Sequence, residues 1–341
     1  MTRRTRTFVV GSSAVLVTGL GVGFLAYYGG LSGGAFAREA GPEELAYVPA
    51  DAAVVAYADV HEVMASELRQ KLRAVVPPED QGREEFRQRT GIDIEADLDR
   101  VVACVLPREG PESAFVVLRG RFDAARLEAL AREHHGVVEE YRGTRIVRGT
   151  GGDGGEGEDA GGRGHRGTPA MAFAEPGLVL VGELGAVKAA IETRAAGQNV
   201  TANDDLMKLI RDMDGSSTAW AVGRVDVLAR HGRLPQEVSS QLPAVRWFSA
   251  AGRIDGGVSG VIRAEARDEE AARNLRDVAN GFLALARLQA GSKPELQALM
   301  QSVALGGTGT TVELSFALPS EVIDALGAAA RARRGERRGR D

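Results

Sequence analysis

Apolar positions along this chain follow three rhythms, and each rhythm predicts a different element. The first is an unbroken run. After Arg3, Arg4 and Arg6 no charge appears over residues 7–37, and the apolar centre, residues 8–28, is 21 residues long. As a helix it measures about 30 Å, which matches the hydrocarbon core of a bilayer. Arginines precede it and Glu39, Glu43 and Glu44 follow, a charge bias that places the N-terminus in the cytoplasm. The expectation is a single pass through the cytoplasmic membrane, with residues 1–37 as stub, span and spacer and the large domain outside. A signal peptide is the rival. Ala35-Phe36-Ala37 has the small-x-small form of a cleavage site, and cutting there would release a periplasmic or secreted domain. Gly19 and Gly23 have the Gly-x-x-x-Gly spacing through which membrane helices pair, a hint of dimerisation.

The second rhythm is the short apolar run bounded by turn residues, the third a stripe of period three and four. They alternate twice. Residues 101–106 and 114–118 predict a hairpin around Gly110-Pro111, and residues 247–251 and 258–264 predict another around Asp255-Gly256-Gly257. Each hairpin leads to an aspartate in a helix N-cap position, Asp123 or Asp268. Helical stripes follow, with Leu127, Leu130 and Ala131 in the first and Ala272, Leu275, Val278, Ala279 and Phe282 in the second. A later hairpin over residues 172–181 has its counterpart in residues 302–318, where a strand at 302–305 is expected before the Gly306-Gly307 turn.

The fold class expected is therefore α+β, in two related halves after a single N-terminal transmembrane helix. Each half has mainly antiparallel strands with helices packed on one face. The halves span 45–196 and 216–328. Two segments lie outside this plan: a glycine-dominated insertion at 149–167, predicted to be disordered, and a basic tail at 329–341.

Composition narrows the chemistry. A net charge of −5 argues against a nucleic-acid partner, because phosphate recognition needs a concentrated basic surface. Cys104 is the only cysteine, which excludes an intrachain disulfide and a cysteine-built metal site, and its apolar run reads as a buried strand. The five histidines, His61, His134, His135, His165 and His231, show no metal-ligand spacing. Ser239-Ser240 has no lysine or histidine partner nearby, and no phosphate-binding glycine loop is present. Asp59, Glu62 and Glu183 would have to converge from distant positions to act as a carboxylate pair. No catalytic residue, metal or cofactor is expected. The large aromatics Phe173, Trp220 and Trp247 are the candidate lining of a ligand groove.

Residues 47–57, Tyr-Val-Pro-Ala-Asp-Ala-Ala-Val-Val-Ala-Tyr, resemble the opening of a family of uncharacterised bacterial envelope proteins known as domain of unknown function 3352. The resemblance implies an N-terminal hydrophobic segment, a turn into a strand and a long exterior region, but no activity and no catalytic residues. The leading expectation is a membrane-tethered, non-catalytic envelope protein binding a protein or lipid. An envelope hydrolase with a dispersed acidic or histidine site is one alternative, and a passive structural or signalling module is the other.

Overall fold

The computed structural model describes residues 42–66, 69, 80–107, 114–149, 168–213, 217–226, 245–290 and 294–324. They form two compact units: residues 42–61 and 80–208 in the first, and residues 62–66, 69 and 209–324 in the second.

Seven strands make up the sheet of the first unit: β1 (Val54–Asp59), β2 (Leu98–Val105), β3 (Ala114–Gly120), β4 (Val137–Tyr141), β5 (Thr144–Arg148), β6 (Pro169–Glu175) and β7 (Leu178–Glu183). Their spatial order is β1-β2-β3-β7-β6-β5-β4, antiparallel throughout. The second unit has β8 (Ala219–Arg224), β9 (Val245–Ile254), β10 (Gly257–Ala266), β11 (Ala304–Gly306) and β12 (Thr311–Pro319), in the order β8-β9-β10-β12-β11. Both orders run alike. A first strand pairs with a hairpin, and the last strand of the unit then inserts ahead of the strand that precedes it in sequence. The first unit alone continues outward, through the β5-β4 hairpin.

The central strands of the first unit are buried at consecutive positions. Val101, Val102, Ala103 and Cys104 on β2 are all buried, as are Phe115, Val116 and Val117 on β3. Successive side chains point to opposite faces, so both faces of the sheet are covered here. This departs from the expectation of helices on one face only. The close packing has a local signature at Gly182, which pairs with Phe115 across β7 and β3. A Cβ on Gly182 would lie 2.7 Å from the Phe115 Cβ and 2.8 Å from the Ala114 carbonyl oxygen.

Helices start where side chains can satisfy free backbone N–H groups. Asp123 accepts from Arg126 N at 3.0 Å to begin α4 (Ala124–Glu133), after α1 (Val60–Ala65), α2 (Asp80–Thr90) and α3 (Ile94–Asp97). Glu183 accepts from Gly185 N and Ala186 N to begin α5 (Leu184–Ala196), which is followed by α6 (Asp204–Arg211). Asp268 accepts from Ala271 N at 2.8 Å ahead of α7 (Glu269–Ala290). In the second unit Val63 of α1 packs with Ile254, Val258 and Ile323, and Ala271 and Ala272 of α7 pack with Ala266 and Val312. The strand expected from residue 302 is instead preceded by α8 (Pro294–Ser302), leaving β11 three residues long.

The expectation of a fold built on a transmembrane helix is corrected. Among the described residues no helix is long and apolar enough to cross a membrane. The longest, α7, has 22 residues and includes Glu269, Glu270, Arg273, Arg276, Asp277 and Arg287, charges that a bilayer core does not tolerate in that number. The fold is a mixed α/β one of antiparallel strands and helices. Residues 8–28, with Gly19 and Gly23, lie outside the described residues. Single-pass localisation, release after Ala37, a membrane partner and pairing through those glycines all depended on that segment, and no described element carries them. All of the insertion at 149–167 except Gly149, and the whole basic tail at 329–341, also lie outside the described residues.

Candidate functional site

The most site-like group of polar side chains lies in the first unit, where a 3-10 turn (Glu43–Tyr47) is held against the sheet. Glu44 is wholly buried. Its Oε1 accepts a 2.9 Å hydrogen bond from Arg119 Nε, and Arg100 Nη1 stands 3.9 Å away. Arg100 and Arg119 face each other on β2 and β3, and Asp59 faces Arg100 from β1. Strand register alone thus lines up an acid and two bases, with Glu44 as a second acid from the turn. Glu44 Oε2 is buried without a hydrogen-bond partner. Nearby, Tyr47 Oη donates to Glu175 Oε1 at 2.8 Å, and Arg194 Nη2 donates to the same oxygen at 3.3 Å. The Arg194 guanidinium also lies 5.7 Å from the centre of the Tyr47 ring, within cation–π range.

These contacts set the ionisation of the group. Burial, then the hydrogen bond to Glu175, pushes the Tyr47 hydroxyl up to about 12. The hydrogen bond from Tyr47, helped by Arg194, holds the Glu175 carboxyl below its ordinary value. Burial acts to lower the Arg119 pKa, but the hydrogen bond to Glu44 and the surrounding carboxylates outweigh it and move it upward. A tyrosine kept protonated and a Glu175 kept ionised, both already engaged, are poorly matched to proton transfer near neutral pH. The group instead fastens the chain. Val200 N donates to the Val48 carbonyl oxygen, the Asn203 side chain donates to the Ala50 carbonyl, and Ala53 N donates to Val105 O. The motif at residues 47–57 is thus the joint where the turn enters β1.

A second buried carboxylate is used similarly. Glu128 on α4 is 3.1 Å from Arg145 on β5 and 3.5 Å from Arg132. The first cluster gives no local signal in the sequence, because Arg119 lies 75 positions from Glu44 and Glu175 lies 128 from Tyr47.

The residues singled out from the sequence do not assemble. Three strand spacings separate Asp59 on β1 from β7, and Glu183 lies five residues along β7 from the level of Asp59. At about 4.8 Å between strands and 3.4 Å per residue, the two carboxylates are roughly 20 Å apart. Glu183 also caps α5. His61 is exposed on α1, beside Glu62, while His134 and His135 are exposed at the end of α4. His165, His231, Ser239 and Ser240 lie outside the described residues. Among the described residues no group of three or more His, Cys, Asp or Glu is placed to hold a metal ion. Burial pushes the Cys104 thiol far above its ordinary value, which removes the reactive thiolate.

Phe173 is on β6 in the first unit, and Trp220 and Trp247 are on β8 and β9 in the second. Trp220 pairs with Ala251 and Trp247 with Arg224, so the two indoles share a sheet face but sit four residues apart along the ladder, about 13 Å. Trp220 is buried and Trp247 half-buried.

No family model matches the chain, and no curated protein does. Among solved structures there is a weak likeness to the one described as crystal form I of TP0453, with 8% sequence identity and a TM-score of 0.45. It covers 84% of this chain and 98% of that one.

Proposed function

We propose that this chain is a structural module, one whose role is to hold its folded surfaces in place rather than to turn over a substrate. The observation that carries this reading is the use made of the deepest ionisable side chains. Glu44 and Glu128 are both matched by arginines that tie a turn or a helix to the sheet. Membrane tethering forms no part of the reading. Residues 47–57, which resemble the opening of domain of unknown function 3352, act here as a packing joint, and that use supports the reading.

Rescue of cells lacking their own copy of the gene tests it. The double variant His61→Asn, Glu183→Gln removes acid–base candidates that stand outside both arginine clusters. Full rescue is expected. Failure to rescue by a variant with unchanged circular dichroism and melting temperature would restore the hydrolase alternative.

A further inference from the structure

The second unit repeats the first down to one cross-strand pair, and differs in what covers that pair. In the first unit Phe115 on β3 faces Gly182 on β7. In the second, Gly260 on β10 faces Phe316 on β12, with glycine and phenylalanine exchanged between the strands. A Cβ on Gly260 would lie 2.7 Å from the Phe316 ring, so the ring lies across the glycine. Two residues along, on the same face, Val117 pairs with Leu180 in the first unit and Ile262 with Leu314 in the second. Val117 and Leu180 are wholly buried, whereas Ile262, on an inner strand between β9 and β12, is 47% exposed. Leu314 and Phe316 are only half-buried. In the first unit this face is closed by α5, the helix that follows β7 directly and packs on β3, β6 and β7. Arg119, next along the face from Val117, reaches Glu44 in the 3-10 turn, and Tyr47 of that turn shares Glu175 with Arg194 of α5. Glu175 pairs with Leu178 at the start of β7, so α5 runs back along the strand it leaves.

We propose that the chain's own residues 325–332 close the corresponding face of the second unit, continuing a helix back over β12 to cover Ile262, Leu314 and Phe316. The start of this path is already in place. β12 passes directly into a helix at residues 320–324, and Ile323 packs with Val63, Ile254 and Val258. Val258 shares the face of Gly260 and Ile262. Counted from the first helical residue, Ile323 stands where Val187 stands in α5, and Leu326 where Ala190 stands; Val187 and Ala190 are both wholly buried. Ile262 lies four residues along β10 from Val258, about 13 Å. At 1.5 Å per residue, about nine helical residues beyond Ile323 reach that level. Residues 325–330 are Ala-Leu-Gly-Ala-Ala-Ala, without charge, and the arginines begin at Arg331. The apolar stretch thus ends where the cover is complete, and the basic residues after it are fixed at their base to the second unit. This inference stands independently of the structural reading.

Thiol labelling of the full chain tests this. The thiol of Ile262→Cys should react with a maleimide at least tenfold more slowly than in the same variant carrying Leu326→Asp, whose carboxylate drives the segment off the apolar face. Cys104 is buried and does not compete, and emission from Trp220 and Trp247 reports that the second unit stays folded. Hydrogen exchange of the unaltered chain gives a reading that needs no variant: amides of residues 326–330 should exchange at least tenfold more slowly than those of a free peptide. Equal labelling rates in the two folded variants overturn the proposal, as does free-peptide exchange at 326–330. Protection that fades on dilution would assign the cover to the tail of a second copy. Protection that appears only with phosphatidylglycerol vesicles would assign it to lipid, and either result also overturns the proposal.

Discussion

Removing Arg119 should cost more than removing Glu44, although the two side chains share one hydrogen bond. Arg119→Ala leaves the Glu44 carboxylate fully buried, with only Arg100 nearby at 3.9 Å. A buried charge stripped of its partner costs about 3–5 kcal/mol. Glu44→Ala leaves instead a guanidinium whose side chain is 25% exposed and still feels Glu175 and Glu43. Partial hydration and those remaining charges should hold the loss to about 2 kcal/mol. Replacing both residues with leucine removes the desolvation penalty of each, so the double variant should lie within about 1 kcal/mol of the wild type. Urea unfolding followed by far-ultraviolet circular dichroism measures the series. With a slope of about 2 kcal/mol/M, Arg119→Ala should lower the midpoint of the first unit by about 2 M. Both tryptophans, Trp220 and Trp247, are in the second unit, so their emission supplies an independent trace of that unit. Equal or larger loss from Glu44→Ala, or a double variant worse than Arg119→Ala, would refute the account of Glu44 as a buried charge dependent on Arg119.

Three further outcomes follow from single positions. Tyr47 ionises at about 12 in the folded chain against 10.0 for a free side chain, so the folded state holds the proton more tightly. Its contribution is complete below pH 10 and disappears as pH rises toward 12; Tyr47→Phe should flatten that alkaline decline in stability, and ultraviolet titration should lose one tyrosine step near 12. His135 ends α4 with φ 62, and His135→Gly should raise stability by about 1 kcal/mol in chemical denaturation, because glycine enters that region without strain. Gly182→Ala should lose about 2 kcal/mol in the same assay, since the added methyl meets Phe115 and backbone atoms with no room to yield.

Local pattern showed the hairpins and helix starts well, and showed the polar cluster not at all. The runs that became β2-β3 and β9-β10 were readable because consecutive apolar residues break at turn residues. Asp123 and Asp268 were readable as caps because their role is local. The β4-β5 hairpin was not read. Its turn is Arg142-Gly143, with φ 51 and 78, and arginine stands where Asn or Asp usually signals a two-residue turn. Ser302, expected to open a strand, closes α8 instead, because nothing beside the Gly306-Gly307 turn marks the helix that ends there. Glu44 gave no signal at all. It follows Glu43 in an acidic stretch and looks like surface charge until strand register sets Arg100 and Arg119 beneath it. The separation of Asp59 from Glu183 also follows from strand order, which neither residue reveals.

The position of Val63 has a consequence for how the chain is made. It belongs to the core of the second unit, with Ile254, Val258 and Ile323, yet residues 80–208 between them belong to the first. At about 5–20 residues per second, Val63 leaves the ribosome some 10–40 s before Ile254. For that interval an apolar piece of one unit waits while the other unit is synthesised around its connection. A gene fragment starting at residue 209 would never supply that piece, and the second unit made from it would lack Val63 from its core.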